Sequence, residues 1–407
     1  MTQAEFPASP QRCGPTRDTR MNGSMAEGKW TILVLFLLAG LTALGFRYLG
    51  GAAAPKVTPD RGTAARKLVG QFRGIALQMH NPGDENHPYE KFIDEIADTG
   101  ANTVCLVIPG YQENGTACSI FIDQRKVPTR DRIRKIIRHA KSKGLRIIFM
   151  PIVLLMNPQD GEWRGKIKPK DWDEWWRQYT NYVLRYAYLC NEEKVEAFQI
   201  GSELLSTETH TERWRTLIVK VRKGFDGLLS YSSNWDHYRV PQFWSDLDMV
   251  GMTAYYDLTG GKKPTLDRLK KAWKPLKKEI LDWQKTIGKP ILFTELGWPN
   301  QDTCAEFPWN YYQSEKTDPQ AQANCFEAFF HTWIKEPKVA GFMIWEWRKS
   351  LGQDHRPNVD LSYVPYLKPA MKVISRYYDM PGGGKKPSTM KKPATTQPAT
   401  STRPASR

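Results

Sequence analysis

The sequence predicts an α/β protein: a single (β/α)8 TIM barrel with an N-terminal transmembrane or signal segment and a disordered C-terminal tail. Three observations carry that reading. Short apolar runs rich in Val, Ile and Phe alternate with longer stretches of helical spacing, as they do where helices cover both faces of a parallel sheet. Eight such runs fall within residues 68–380, which favours a closed barrel over an open sheet. The chain of 407 residues exceeds the roughly 250 that one barrel requires, leaving both ends free for other purposes.

The strand candidates are 71–77, 102–108, 145–151, 195–201, 228–233, 247–254, 290–295 and 339–345. The segments between them place apolar residues three and four apart, the mark of a helix with one buried face. Tyr89, Phe92, Ile93 and Ile96 form one stripe, and Ile133, Ile136, Ile137 and Ala140 a second. Trp214, Leu217, Ile218 and Val221 form a third, and Phe326, Phe329, Phe330 and Trp333 a fourth. Thr129 is a candidate N-cap, and Thr209 with Glu212 has capping-box spacing. The fifth unit is the weakest, because its helical stretch around 240–246 is barely a turn.

The ends divide differently. Residues 1–29 form a basic segment, 30–49 a membrane anchor or signal, 50–67 a linker, 68–380 the barrel and 381–407 the tail. Residues 30–46 are an uncharged apolar run at the short edge of a membrane span. Arg12, Arg17, Arg20 and Lys29 precede it, favouring a cytoplasmic N-terminus. The barrel is then expected outside the cytoplasm, membrane-anchored, or secreted if the segment is cleaved. The tail is rich in Pro, Lys, Thr, Ser and Ala and has too little apolar area to offset the entropy of ordering.

The formal net charge of +16 raises the question of nucleic acid. Residues 1–67 carry a net +5 and residues 382–407 a net +6, so most of the excess sits in the ends. No nucleic-acid motif accompanies it, and no nucleic-acid partner is expected. The six cysteines, Cys13, Cys105, Cys118, Cys190, Cys304 and Cys325, lack the spacing of a zinc site. No metal or other cofactor is expected. Cys118 and Cys304, in loop-like stretches, are candidates to pair in an oxidising compartment.

Barrel enzymes carry their chemistry at the C-terminal ends of strands. Two of the apolar runs end on a carboxylate: Ala197-Phe198-Gln199-Ile200-Gly201-Ser202-Glu203 and Pro290-Ile291-Leu292-Phe293-Thr294-Glu295. A lone Glu there serves as readily in a structural ion pair. Two on one rim, three units apart, supply what a retaining glycosidase needs. One carboxylate attacks the anomeric carbon; the other protonates the leaving oxygen and then activates water, at a separation of roughly 5–5.5 Å.

With those residues in view, the chain resembles the clan A glycoside hydrolases, which place an acid/base after strand four and a nucleophile on strand seven. More narrowly it resembles glycoside hydrolase family 113, described as β-mannanases. The resemblance rests on an ordered set of strings across residues 70–350: NTVCLVIPGYQ (102–112), QDGEWRG (159–165), QIGSELLSTE (199–208), NWDHY (234–238), FWSDLDMVGMTAYY (243–256) and FTELGW (293–298).

The resemblance implies Glu203 as acid/base, Glu295 as nucleophile, and Tyr255 as hydrogen-bond donor to the nucleophile, with Tyr256 the alternative. It implies Trp345 as a stacking floor for a sugar, and Trp347 in a lesser role. Trp163, Arg164, Asn234, Trp235, Tyr111 and Gln112, on loops after strands two, three and five, are implied to line the cleft. Ser202 stands where much of the clan has Asn, and the end of strand three reads Pro151-Ile152-Val153-Leu154-Leu155 where the family often has polar residues.

The expected function is therefore hydrolysis of a β-linked polysaccharide or oligosaccharide, first of all β-1,4-mannan. The alternatives are the same chemistry on another β-glycan such as β-glucan, or an anchored carbohydrate-binding scaffold that has lost catalysis.

Overall fold

Eight parallel strands close on themselves in chain order in the computed structural model, each pairing with the next and the last with the first. The structure describes residues 67–80, 87–347, 356–357 and 359–381. The expected basic segment, membrane or signal segment, nearly all of the linker, and the tail beyond Pro381 lie outside the described residues. Among those described, no helix is long and apolar enough to cross a membrane.

The strands are β1 (Phe72–Gln78), β2 (Thr103–Gln112), β3 (Arg146–Leu155), β4 (Ala197–Ser202), β5 (Leu228–Ser233), β6 (Val250–Thr253), β7 (Ile291–Leu296) and β8 (Val339–Trp347). The helices are α1 (Tyr89–Asp98), α2 (Arg130–Ser142), α3 (Trp172–Glu192), α4 (Thr211–Arg222), α5 (Leu266–Ile287), α6 (Pro319–Trp333) and α7 (Pro369–Tyr378). All eight expected strands form. Their residues are almost wholly buried, because one face fills the barrel and the other meets the helices. The weak fifth unit holds only a 3₁₀ turn, Trp244–Asp246, between β5 and β6.

Strands two and three run four residues past their expected ends. Pro109 and Pro151 cannot donate to a ladder. Both are nonetheless absorbed within a continuous ten-residue register from Thr103↔Arg146 to Gln112↔Leu155. A helix side chain secures that register: the Tyr182 hydroxyl of α3 lies 2.9 Å from the carbonyl oxygens of both Ile108 and Ile152. Strand six is shorter than expected, and its pairing with β5 covers only Ser232↔Gly251 and Ser233↔Met252.

The four expected helical stripes are buried as the spacing requires. Thr129 caps α2, its hydroxyl accepting the Arg132 N–H at 3.3 Å. The capping box at Thr209 and Glu212 does not form. The helix begins at Thr211 with His210 before it, and the Glu212 carboxylate accepts from Arg215 instead. The Cys118–Cys304 pairing is also corrected. All five described cysteines are free; Cys304 is buried against Cys325, while Cys118 Sγ accepts the Asp171 N–H at 3.3 Å.

Helix α3 fixes the level of β4. Its Tyr179 hydroxyl donates to the Ile200 carbonyl at 2.7 Å. A Cβ on the next residue, Gly201, would meet that hydroxyl at 2.5 Å and the Trp214 ring at 3.0 Å. Both neighbours are rigid and fully buried. Gly201→Ala is therefore expected to destabilise the fold by about 1–3 kcal/mol, read as a lower midpoint in urea unfolding with unchanged slope. A wild-type midpoint would refute the fit.

Candidate active site

Glu203 follows β4 with a backbone φ of +51°, a left-handed conformation uncommon for a residue with a Cβ. Its N–H donates to the Ser232 carbonyl across β5 at 2.8 Å. The turn aims the carboxylate at Arg164, whose guanidinium reaches Glu203 Oε2 at 2.5 Å. Both partners are buried. Arg164 opens a 3₁₀ turn, Arg164–Lys166, on the loop after β3. The chain crosses there at Gly165, where a Cβ would lie 2.4 Å from the Trp163 ring.

Glu295 lies on β7 and is 4% exposed. Its Oε2 accepts the Tyr255 hydroxyl at 3.2 Å, and its buried Oε1 has no hydrogen-bond partner among the described residues. Tyr255 lies two residues past the end of β6. Tyr256, the alternative, turns the other way: its hydroxyl donates to the Trp235 carbonyl at 3.1 Å and its ring packs on Trp273.

The two carboxyls feel each other. Burial raises Glu203, and the negative charges of Asp236 and Glu208 add to it, while Arg164 opposes. Burial first, then the charges of Glu203 and Glu346, push the Glu295 carboxyl up to about 8 against the pull of Arg164 and Tyr255. A buried like-charged pair of this kind keeps one proton between its members near neutrality.

The consequence for stability has a definite sign. Between the ordinary carboxyl range near 4.3 and about 8, the folded state holds a proton that the unfolded chain has released. Stability therefore falls as pH rises through that window, by at most about 1.4 kcal/mol per pH unit. Glu295→Gln should flatten the fall, so that the variant gains on the wild type at pH 8 relative to pH 5. Parallel melting-temperature profiles for the two proteins would contradict this.

The other expected residues divide into two groups. Ser202 and Trp163 are buried with Oγ and Nε1 lacking partners among the described residues, and the same holds for the Tyr111 hydroxyl. Trp345 is 8% exposed on β8, and Trp235 lies nearly parallel to Trp309, with ring centroids 5.9 Å apart. Asn234 donates to Asp236 at 2.7 Å and accepts from Thr253 at 3.4 Å.

Gln112 and Trp347 have their polar groups engaged by surrounding elements. The Gln112 amide accepts the Trp175 indole N–H at 2.8 Å and donates to the Asn114 carbonyl at 2.8 Å, so both of its ends are committed. The Trp347 indole donates to Glu95 of α1 at 3.1 Å and packs edge-on against Tyr366.

Two buried carboxylates escaped the sequence. Glu346 is 1% exposed, accepts from the Gln78 amide, and adds its charge to the environment of Glu295. A polar residue inside the apolar run FMIWEW was its signal, overshadowed by the flanking tryptophans. Glu208 is fully buried in a loop of Ser and Thr, where nothing in the sequence marks burial. Among the described residues no group of three or more His, Cys, Asp or Glu is arranged to hold a metal ion.

A closed parallel barrel with two coupled carboxyls on its β4 and β7 ends is the framework of a glycoside hydrolase. The comparisons agree on that class. The chain belongs to Glycoside Hydrolase Family 113, whose family model matches residues 84–368. The chain is similar to the solved family 113 β-mannanase of Alicyclobacillus acidocaldarius, with 26% identity, TM-score 0.69, and coverage of 76% of this chain and 98% of that one. A second family 113 β-1,4-mannanase structure matches at 25% identity and TM-score 0.67, covering 76% and 99%. The endo-β-1,4-mannanase of Thermotoga petrophila shares the fold at 12% identity and TM-score 0.52, covering 79% of each chain. No curated protein matches the chain by sequence.

Proposed function

We propose that this glycoside hydrolase is a retaining β-mannanase that cleaves β-1,4-linked mannan by double displacement. The observation that carries the proposal is the opposed pairing of the two carboxyls, Tyr255 holding one oxygen of Glu295 and Arg164 holding Glu203. Glu295 is the nucleophile. With Oε2 engaged by Tyr255, the unpartnered Oε1 attacks the anomeric carbon. The bond from that carbon to the glycosidic oxygen breaks, and Glu203 gives its proton to the departing oxygen. In the second half, Glu203 takes a proton from water, the resulting hydroxide attacks the same carbon, and Glu295 leaves.

Each half needs the opposite protonation state at Glu203, which is why one shared proton suits the pair. Tyr255 favours charge on Glu295 by donating to it. The choice of mannan rests on the two family 113 structures named β-mannanase that the chain resembles over most of its length. The test is release of new reducing ends from mannan, glucomannan, β-glucan and xylan, with Glu295→Ala as the blank. Activity confined to the mannans is expected. Activity on another polymer alone would overturn the mannan assignment. Silence on all four by a folded protein would overturn the enzymatic one.

A further inference from the structure

We propose that Glu208 is a positioning residue for Glu203, gripping through Tyr231 the peptide that holds Glu203 in its left-handed turn. The proposal rests on the reading of Glu203 as acid/base.

The arrangement begins from a cost. A left-handed backbone at a non-glycine residue persists only where its surroundings enforce it, and Glu203 has φ +51°. Enforcement on one side is the Glu203 N–H bond to Ser232. On the other side, the N–H of Leu204 donates to the Tyr231 hydroxyl at 2.9 Å. That hydroxyl in turn donates to Glu208 Oε1 at 2.9 Å. Because a hydroxyl has one proton, Glu208 fixes which way it points and leaves its lone pair facing Leu204. The Thr207 hydroxyl donates to the Leu204 carbonyl at 2.7 Å, and the Trp214 indole to the Thr207 carbonyl at 2.9 Å. The segment 204–208 is thus clamped at both ends of the Leu204 peptide.

Glu208 is fully buried, so its presence calls for a reason. It is met by Tyr231, by Ser233 Oγ at 3.2 Å, and by His237 Nδ1 at 3.1 Å on Oε2. His237 is itself partly exposed, and Glu208 raises its affinity for a proton. The charged and titrating groups around the cluster are Glu203 from β4, Tyr231 from β5, Asp236 and His237 from the β5–β6 loop, Tyr179 from α3, and Arg164 from the β3 loop. Of these, Asp236 and Glu208 favour the protonated form of Glu203, and Arg164 disfavours it. Glu208 therefore acts on the acid twice, by holding its backbone and by its charge.

The experiment compares Glu208→Gln and Tyr231→Phe in the full chain, on mannan and on an aryl β-mannoside with a good leaving group. With mannan, Glu208→Gln is expected to lower kcat/KM by about tenfold or more. The alkaline limb of the pH profile should move down by about half a unit or more, because a neighbouring negative charge is gone. Cleavage of the activated aryl mannoside, which needs no proton, should change less than about threefold. Tyr231→Phe keeps the charge and cuts the link to Leu204, so it should lower kcat on mannan and leave the alkaline limb in place. Equal losses on both substrates with an unmoved profile would reduce Glu208 to ordinary scaffold and overturn the proposal, as would wild-type kinetics in both variants. If Glu208→Gln does not fold, a wild-type kcat for Tyr231→Phe overturns it alone. If Glu203→Ala shows no dependence on leaving group, the acid/base reading itself fails and the proposal falls with it.

Discussion

Glu295→Ala is expected to lower kcat/KM on mannan by about 10⁴-fold or more, with the fold intact. Under the proposed mechanism the variant loses the nucleophile. It also loses a buried carboxyl whose Oε1 has no partner among the described residues and whose Oε2 accepts the Tyr255 hydroxyl, so one buried hydrogen bond goes with it. Truncation to Ala removes the carboxylate and its methylene and leaves that space open to a small anion. Azide should enter it, attack the anomeric carbon from the face that Glu295 used, and give a glycosyl azide of inverted configuration from an activated β-mannoside. The configuration of the product is read from its one-bond C1–H1 coupling. A wild-type rate in the variant would remove Glu295 from the mechanism. Rescue giving retained configuration would place the nucleophile elsewhere.

Glu203→Ala should behave differently on different substrates. On mannan, where the departing sugar hydroxyl needs a proton, a loss of about 10²–10⁴-fold is expected. On an aryl mannoside with a good leaving group, formation of the glycosyl-enzyme needs no acid, and the loss should be far smaller. Its breakdown still needs a base, so a burst of phenol followed by a slow steady rate is the expected time course. Equal losses on both substrates, without a burst, would show that Glu203 does not transfer a proton. The Arg164 pairing gives the variant a second signature. Without Glu203, Arg164 loses its buried partner, and stability should fall along with activity.

The fold was legible because its signals are long-range and redundant. Eight apolar runs and four helical stripes each say the same thing, and an error of a few residues at one strand end leaves the others standing. The carboxylates at 203 and 295 were legible because charge at the end of an apolar strand is expensive and therefore rare. Side-chain roles on the rim were less so. Tyr255 and Tyr256 are neighbours in sequence, and only the strand's rotation decides which one meets Glu295. Gln112 and Trp347 occupy rim positions like those of Tyr111 and Trp345, yet their polar ends are taken by Trp175 and Glu95 from surrounding helices. No local pattern records such tertiary bonds. The capping-box spacing at Thr209 failed for a related reason. The preceding segment is committed to the clamp around Leu204 and the Thr207 carbonyl, and the helix starts only after it.

The ten-residue ladder between β2 and β3 has a mechanical meaning. Its register runs unbroken for ten residues, and a buried tyrosine pins both strands midway. Across the barrel, β5 and β6 share only two register pairs, and a loop with one 3₁₀ turn takes the place of a helix. β3 and β4 likewise share two pairs, so the β2–β3 seam is the long one and the seams beyond it are short. The loop bearing Arg164 is rooted in that seam, through backbone bonds from Lys168 and Lys170 to Gly115 and Thr116. The turn bearing Trp235, Asp236 and His237 lies instead between the briefly paired strands β5 and β6. The guanidinium that meets Glu203 is thus anchored to the longest ladder of the barrel.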